Sequence, residues 1–548
     1  MLSVILGPEK GYYYIILTYS IAISSLYVVL PISIKAVTDN IIRTHLYAPL
    51  VIVTSILFIL LIISSVLTAL QYYVAEIFQR RFYARLVAEI TIRTTYAKYQ
   101  HNDQWNARAL MQKYFEVPSI HKNLPSLLIT TFTLVIQIVV GILITSFYHF
   151  VYLMFNICIV TLLYFIWKFY AGPAIRAGID ESTCKYETAD WLSELGSRFN
   201  LLKSNQVREQ AIQQSDLLVA EYLDSRKRYF GHSFRQSISL LLLYAIGNAT
   251  LLLVSGFLVL KGHLTLGQMV ATEIILSSIL INIAKFGYHL ERVYDVIASC
   301  HKLLKFYLFP LEKDTSHLKK THPLPIVFEN ATFPFKGDAI DLNTTIGPSE
   351  HIMIATKNTH FDEFFKSILL GYQKPIKGLY TIDNTFIDQT DIQHHRNKVS
   401  FIDSTEIMSL SVRDYLTFGI PESKASKMME ALSMSGLQSR LLDLEDGLDT
   451  KLKPNGTPLT YNDLLCLKLT RAIINRSEII IINHELKSSD MLDRLLAAYC
   501  DKHPEVTVID IGKSSHLSDR ATHYYLLDET GLTACSKEVY LNHDATRP

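Results

Sequence analysis

"LKGHLTLGQMVA", residues 260–271, is a brief interruption between two long apolar runs, and its two glycines make it read as a turn joining two helices. Residues 237–260 lie on one side and 269–286 on the other, each long enough to cross a hydrocarbon layer of about 30 Å. Residues 12–36, 50–75, 127–147 and 151–167 repeat the pattern, which makes six candidate membrane helices. A hydrophobic content of 49% and a positive mean hydropathy over 548 residues agree with a membrane half joined to a soluble half.

The third and fourth runs are separated only by Tyr148, His149 and Phe150, a tight hairpin. The second and third are joined by some fifty polar residues, the fourth and fifth by about sixty-five, and both connections are helix-compatible with few glycines. They read as extensions of the membrane helices, turning near residues 113–118 and 198–206. A helix of roughly 20–25 residues reaches about 30–38 Å past the bilayer. The connections also hold the bases, among them Arg80, Arg81 and Arg85 in one and Arg226, Lys227 and Arg228 in the other, while the opposite loops offer little beyond Arg43 and Lys261. That bias places both connections and both termini in the cytoplasm. No cleavable signal peptide is expected, because the first run lacks a basic n-region and a small-residue cleavage site. The six cysteines show neither CxxC nor Cys/His spacing, so neither a disulfide framework nor a zinc site is expected. A net charge of +1 averages two unlike halves and points to no particular partner.

From about residue 291 the pattern turns amphipathic, and "EKDTSHLKKTHPLPI", residues 312–326, is polar and proline-bearing. Residues 312–325 therefore read as a linker between a membrane domain, 1–311, and a soluble domain, 326–548. In the latter, strand-like runs "PIVFENATF", "HIMIAT", "KVSFID", "SEIIIINH" and "VTVIDIG" alternate with helical stretches such as "HFDEFFKSILLG" and "YNDLLCLKLTRAIIN". Continuous apolar strands between helices predict a mostly parallel sheet covered on both faces.

This order of parts resembles a half-transporter of the ATP-binding cassette (ABC) exporter superfamily. "VLPISIKAVTDNII", residues 29–42, is similar to the proline-containing end of a first exporter helix running to an aspartate, here Asp39. The turn "LKGHLTLGQMVA" is similar to the one before the sixth helix of hemolysin-type (type I secretion) exporters. The resemblance implies a membrane α-helical domain of six transmembrane helices with long cytoplasmic extensions, followed by an α/β ABC-type cassette domain. It also implies a dimer in a bacterial inner membrane, a peptide or protein substrate, and no nucleic-acid partner. Asn282, Lys285 and His289 near the sixth run either face a central pathway or are ordinary helix-end polar groups, and the second reading is preferred.

The cassette motifs depart from the family one after another. Phe335 stands where the family stacks an aromatic on adenine, though a strand-end phenylalanine packed in the sheet explains it equally well. A Walker A loop, GxxxxGK[ST], needs glycines so that backbone N–H groups can wrap phosphate, a lysine, and a hydroxyl for Mg²⁺. Counting back from Gly371 through "SILLG" puts Thr356, Thr359 and Phe361 at the glycines, Asp362 at the lysine and Glu363 at the hydroxyl. Like charges 4 Å apart at an effective dielectric of 20 repel by about 4 kcal/mol, so two carboxylates there oppose phosphate. The Q-loop glutamine is Asp403, and the LSGGQ signature reads Leu459, Thr460, Tyr461, Asn462, Asp463. The Walker B carboxylates are Asn483 and His484, the D-loop aspartate is kept as Asp490, and the switch histidine is Lys513.

Losses across the active-site motifs, with strand and helix patterning intact around them, predict a pseudo-ATPase without catalytic residues, metal site or cofactor of its own. ATP and Mg²⁺ would then enter only through an active partner subunit. The leading expectation is the degenerate half of a heterodimeric exporter. A non-transporting membrane scaffold or regulator of an active exporter or secretion system, and a decaying copy, stand beside it.

Overall fold

The computed structural model describes residues 7–41, 47–98, 113–308, 310–336, 338–356, 359–403, 407–483, 490–511 and 520–542. The chain divides into two compact units: of the described residues, 7–97 and 113–311 fall in the first, and 312–542 together with Lys98 fall in the second.

In the first unit the apolar runs are helices: α1 (Lys10–Tyr27), α2 (Val29–Ala36), α3 (Tyr47–Thr95), α4 (Glu116–Tyr148), α5 (Phe150–Ser197), α6 (Asn205–Leu260) and α7 (Leu266–Tyr307). Pro31 has no N–H to give to the preceding turn, and the break between α1 and α2 at Val28 follows from that. The two together make one span, so six helical segments are long and apolar enough to cross a membrane. A span needs only about 20 residues. The 48 residues of α5 and 56 of α6 therefore include long polar extensions, with the turn between them at residues 198–204.

The apolar part of α3 is exposed all along its most hydrophobic stretch, as expected of a helix whose solvent there is lipid. Elsewhere small residues bring helices together. A Cβ on Gly141 of α4 would lie 2.4 Å from Ile279 Cδ1 of α7, and one on Gly247 of α6 would lie 3.0 Å from Leu280 Cδ2. In the extensions ion pairs take over. Arg226 lies 3.4 Å from both Glu181 and Glu291, and the buried Glu116 accepts from Ser299 at 2.5 Å and from Lys185 at 3.4 Å. Of the candidate pathway residues, Asn282 donates to Gln137 at 3.4 Å and Lys285 is exposed.

The opening string forms the expected turn. Gly262 takes the left-handed φ of +73° that stops α6. At the start of α7, Thr265 and Gln268 cap each other reciprocally, at 2.9 and 3.0 Å. Asp39, beyond α2, adds a second cap, accepting from the Gly267 N–H at 3.0 Å and the Thr265 hydroxyl at 2.9 Å. Gly267 allows this approach, since a Cβ there would lie 2.5 Å from the Asp39 carboxyl carbon.

In the second unit, a six-stranded sheet has the order β10-β9-β3-β8-β7-β6. Its strands are β3 (His351–Thr356), β6 (Val399–Ile402), β7 (Ile479–Asn483), β8 (Thr507–Ile511), β9 (His523–Asp528) and β10 (Gly531–Ala534), all parallel except β10. Side chains alternate between its faces. Ile352, Ile354, Ile479 and Ile481 meet one core, and Met353, Ile480 and Ile482 meet another. The first core also takes α8 (Thr359–Leu369), through Phe364, Phe365 and Ile368, together with a separate four-stranded sheet. That sheet, ordered β2-β1-β4-β5, is antiparallel: β1 (Ile326–Phe335), β2 (Asp338–Ile346), β4 (Lys377–Ile382) and β5 (Thr385–Phe386). "PIVFENATF" thus does not join the parallel sheet; it pairs with β2, its hairpin neighbour. The segment expected as a linker is held by the second unit, where Arg396 grips Glu312 through two bonds of 2.8 and 3.1 Å.

A short helix, α9 (Ile392–Arg396), precedes β6, and its His395 is fully buried with Nε2 3.0 Å from the carbonyl of Leu369 at the end of α8. Burial lowers the imidazole pKa from 6.5 to about 4. The unfolded chain therefore binds the proton more tightly, and stability present above pH 6.5 is lost as pH falls through that window. The loss is about 3 kcal/mol at 1.36 kcal/mol per unit.

Two measurements check these packing arguments. Gly267→Ala and Asp39→Ala are each expected to lower unfolding stability in detergent by about 1 kcal/mol, the worth of a cap. Because they remove one interaction, the double variant should lose little more than either single one. Denaturant unfolding of His395→Gln compared with the parent between pH 7.5 and 4.5 should show a flatter pH dependence in the variant.

Candidate functional site

The central strands β3, β8, β7 and β6 run parallel and end on one side, which is where open α/β sheets bind ligands. Thr356 closes β3, Asp403 follows β6 and Asn483 closes β7, so three of the sequence-derived positions come to one edge. Thr359 and Asp490 open α8 and a later helix, Asp490–Lys502. His484 and Lys513 lie outside the described residues.

The space beside Thr356 is filled by the chain itself. Asp362, in the first turn of α8, is buried at 6% exposure, and its carboxylate accepts the hydroxyl of Thr356. Phe361 is buried at 2% and stacks on Phe335, ring centroids 4.8 Å apart and planes 27° apart. Phe364 meets the Phe335 ring from another direction at 4.8 Å. Of the two readings left open for Phe335, its strand-end packing is what the geometry displays. Glu363 is less buried and pairs with Lys366 at 3.4 Å.

A second cluster ties the strand ends to a helical part of this unit, formed by residues 412–475. Its main helix, Tyr461–Asn475, packs through Leu464 and Leu467 on Val412, Leu416, Leu437 and Leu441. From this helix Lys468, 7% exposed, reaches the 8%-exposed carboxylate of Asp403 as a short buried ion pair. Lys366 approaches the other oxygen at 3.9 Å while lying 3.9 Å over the ring of Phe401. Asp403 thus sits between two ammonium groups, which is what makes a buried carboxylate tolerable. A cavity of about 650 Å³ opens beside the pair. Its bases are largely engaged: Lys398 with Glu478 at 2.5 Å, and Arg471 with the carbonyls of Tyr415 and Phe418 at 2.5 and 2.8 Å.

At the start of the same helix, Thr460 and Asp463 form a capping box. The Thr460 N–H and hydroxyl donate to the Asp463 carboxylate at 2.9 and 2.7 Å, and the Asp463 N–H donates back to the hydroxyl at 3.3 Å. Arg440 joins Asp463 at 3.3 Å, and Tyr461 projects outward. Asn483 is 5% exposed, and its side-chain oxygen has no hydrogen-bond partner among the described residues.

Sequence reasoning had named Asp403 without its partner. The available signal was Lys468 itself, a lone charge inside the apolar run "LLCLKL", which requires a buried counter-ion.

No family model matches the chain. Among curated proteins it is similar to the toxin RTX-I translocation ATP-binding protein of Actinobacillus pleuropneumoniae, 21% identical over 343 residues, 59% of this chain and 47% of that protein. The alpha-hemolysin translocation ATP-binding protein HlyB of Escherichia coli O157:H7 is likewise 21% identical, over 338 residues. The match spans about half the length of each relative. Among solved structures, a bacterial Atm1-family ABC exporter with ATP bound superposes with a TM-score of 0.84 at 13% identity, covering 98% of this chain and 97% of that one.

The chain has the ABC exporter fold, and its homologues are ABC exporters. It is an integral membrane protein whose six spans precede a cassette domain. Within the second unit, Asp362, Asp403 and Asp463 are each bonded to neighbours in the same unit.

Removing one partner of the buried Asp403–Lys468 pair should be costly. Lys468→Ala is expected to destabilise the protein by about 3 kcal/mol, the low end for a broken buried pair because Lys366 remains nearby. The double replacement Lys468→Met with Asp403→Leu should recover most of that loss. Denaturant unfolding of the three variants beside the parent measures both effects.

Proposed function

We propose that this chain is the ATPase-degenerate half of a dimeric ABC exporter, moving substrate only with a partner subunit that binds and hydrolyses ATP. One observation supports the reading above the others: at the P-loop lysine position a buried carboxylate, Asp362, is bonded to Thr356. A nucleotide's phosphates would have to displace this side chain and then sit against its charge, at a cost of about 4 kcal/mol per like-charge contact. The adenine position is equally occupied, since Phe335 is stacked on Phe361. The residues described do not fit ATP or Mg²⁺: the position aligned with the P-loop lysine is Asp362, and Asn483 supplies no negative charge to a metal.

The curated relatives are named for toxin translocation, which favours a peptide or protein substrate. The basic connections favour a cytoplasmic cassette, and the relatives favour a bacterial inner membrane. A heterodimer, rather than a homodimer, follows from the need for a hydrolytic site somewhere in the pair.

The deciding experiment isolates the full chain from its native membrane with whatever co-purifies. ATP binding and turnover are then measured for the complex and for the chain alone. The expected result is turnover by the complex only, abolished when the partner's own P-loop lysine is replaced. Turnover by the isolated chain would overturn the degenerate reading, and a complex without any intact cassette would favour a scaffold.

A further inference from the structure

We propose that α5 and α6 form a headgroup site for an anionic phospholipid just outside the hydrocarbon layer. Where the two helices run side by side beyond their apolar segments they enclose a cavity of about 230 Å³. Arg176, Arg228 and His232 line it together with Asp180, and Pro173, Ala177 and the buried Ser225 complete its wall.

Its height along the helices indicates the ligand. The apolar run of α5 ends at Trp167 and that of α6 begins at Ser237. Arg176 and Arg228 each stand nine residues beyond those ends, 176 − 167 and 237 − 228, and His232 stands five. At 1.5 Å per residue these are about 13 and 7 Å. The polar headgroup layer is about 5–8 Å thick on each side of the core, so His232 lies within it, while Arg176 and Arg228 start at least about 5 Å beyond it and their stems reach back toward it. Tyr164 and Trp167, both half-exposed and 6.4 Å apart by ring centroid, mark the interface on α5. On α6 the exposed Phe230 and Phe234, stacked at 5.3 Å, lie three to seven residues beyond the apolar run.

The charges are available. Among the described residues Arg176, His232 and Asp180 have no ion-pair partner within 4.0 Å. Arg228 has only an exposed neighbour on its own helix, Asp224 at 3.4 Å, and such a pair is weak. Basic pockets between membrane helices at this depth suit lipid phosphates. The guanidiniums of Arg176 and Arg228 face the phosphodiester and outnumber the carboxylate of Asp180, so the wall favours a net-negative headgroup over zwitterionic phosphatidylcholine, and Asp180 accepts from a glycerol hydroxyl that choline lacks. The proposal needs only that the chain spans a membrane, so it stands apart from any reading of the cassette.

The test reconstitutes the full chain in phosphatidylcholine nanodiscs with or without phosphatidylglycerol. Thermal unfolding is followed in the nanodiscs, and lipid retained after gentle extraction is counted by native mass spectrometry. Phosphatidylglycerol is expected to raise the unfolding temperature by a few degrees and to be retained at least twofold over phosphatidylcholine. Arg176→Ala with Arg228→Ala should lose both effects while unfolding like the parent in phosphatidylcholine alone. Should that variant fail to fold, Arg176→Lys with Arg228→Lys, which keeps charge but not the planar fork, replaces it and is expected to retain less lipid than the parent. Equal retention of the two lipids, or retention unchanged by the substitutions, overturns the proposal. So does full stabilisation by soluble glycerol phosphate without anionic lipid, which would mark a site for a free anion.

Discussion

Two helices of the cassette begin at the ligand end of its sheet, and each must satisfy free N–H groups and the positive end of its dipole. In a nucleotide-binding cassette bound phosphates serve that need; here the chain supplies the negative charge from its own sequence. Asp362 lies in the first turn of α8, and Asp463 closes the capping box at Thr460. Once a side-chain carboxylate occupies the first turn, glycine is no longer required before it, and Phe361 is free to pack on Phe335. The aromatic packing and the buried carboxylate are thus parts of one rearrangement.

The same logic extends to the end of β6. Asp403 cannot be buried alone, and Lys468 comes from the helical part to meet it. The pair fixes one geometry between strand end and helix. A buried pair adds little net stability compared with an apolar replacement, so its value lies in specifying one arrangement.

The membrane spans, the helical extensions and five of the strands were legible because hydrophobic runs of about 20 residues and of 4–8 residues have few alternative readings. The antiparallel sheet was not. "DAIDLNTTI" and "KGLYTI" mix polar and apolar residues in short runs, and β1 resembles the parallel strands until its hairpin partner is known. At the site, sequence register alone brought Thr356, Asp403 and Asn483 to one edge. It could not reveal that Asp362 turns inward onto Thr356, or that Asp39 crosses more than 200 residues of sequence to cap Thr265 and Gly267. Those contacts depend on tertiary approach, and the local pattern encodes only one side of each.

The two halves of the chain solve the same problem in different solvents. Within the apolar layer, helices have no hydrophobic drive to associate, and Gly141 and Gly247 allow close contact instead. In the extensions water is present, and Arg226, Glu181 and Glu291 can pair across helices without the full cost of leaving it. In the cassette, carboxylates at the phosphate end are buried and held by the protein's own donors. A ligand that binds only the folded form adds stability in proportion to the logarithm of its concentration over its Kd. The contacts of Asp362 with Thr356 and of Asp403 with Lys468 hold without that term, because both partners belong to the chain itself.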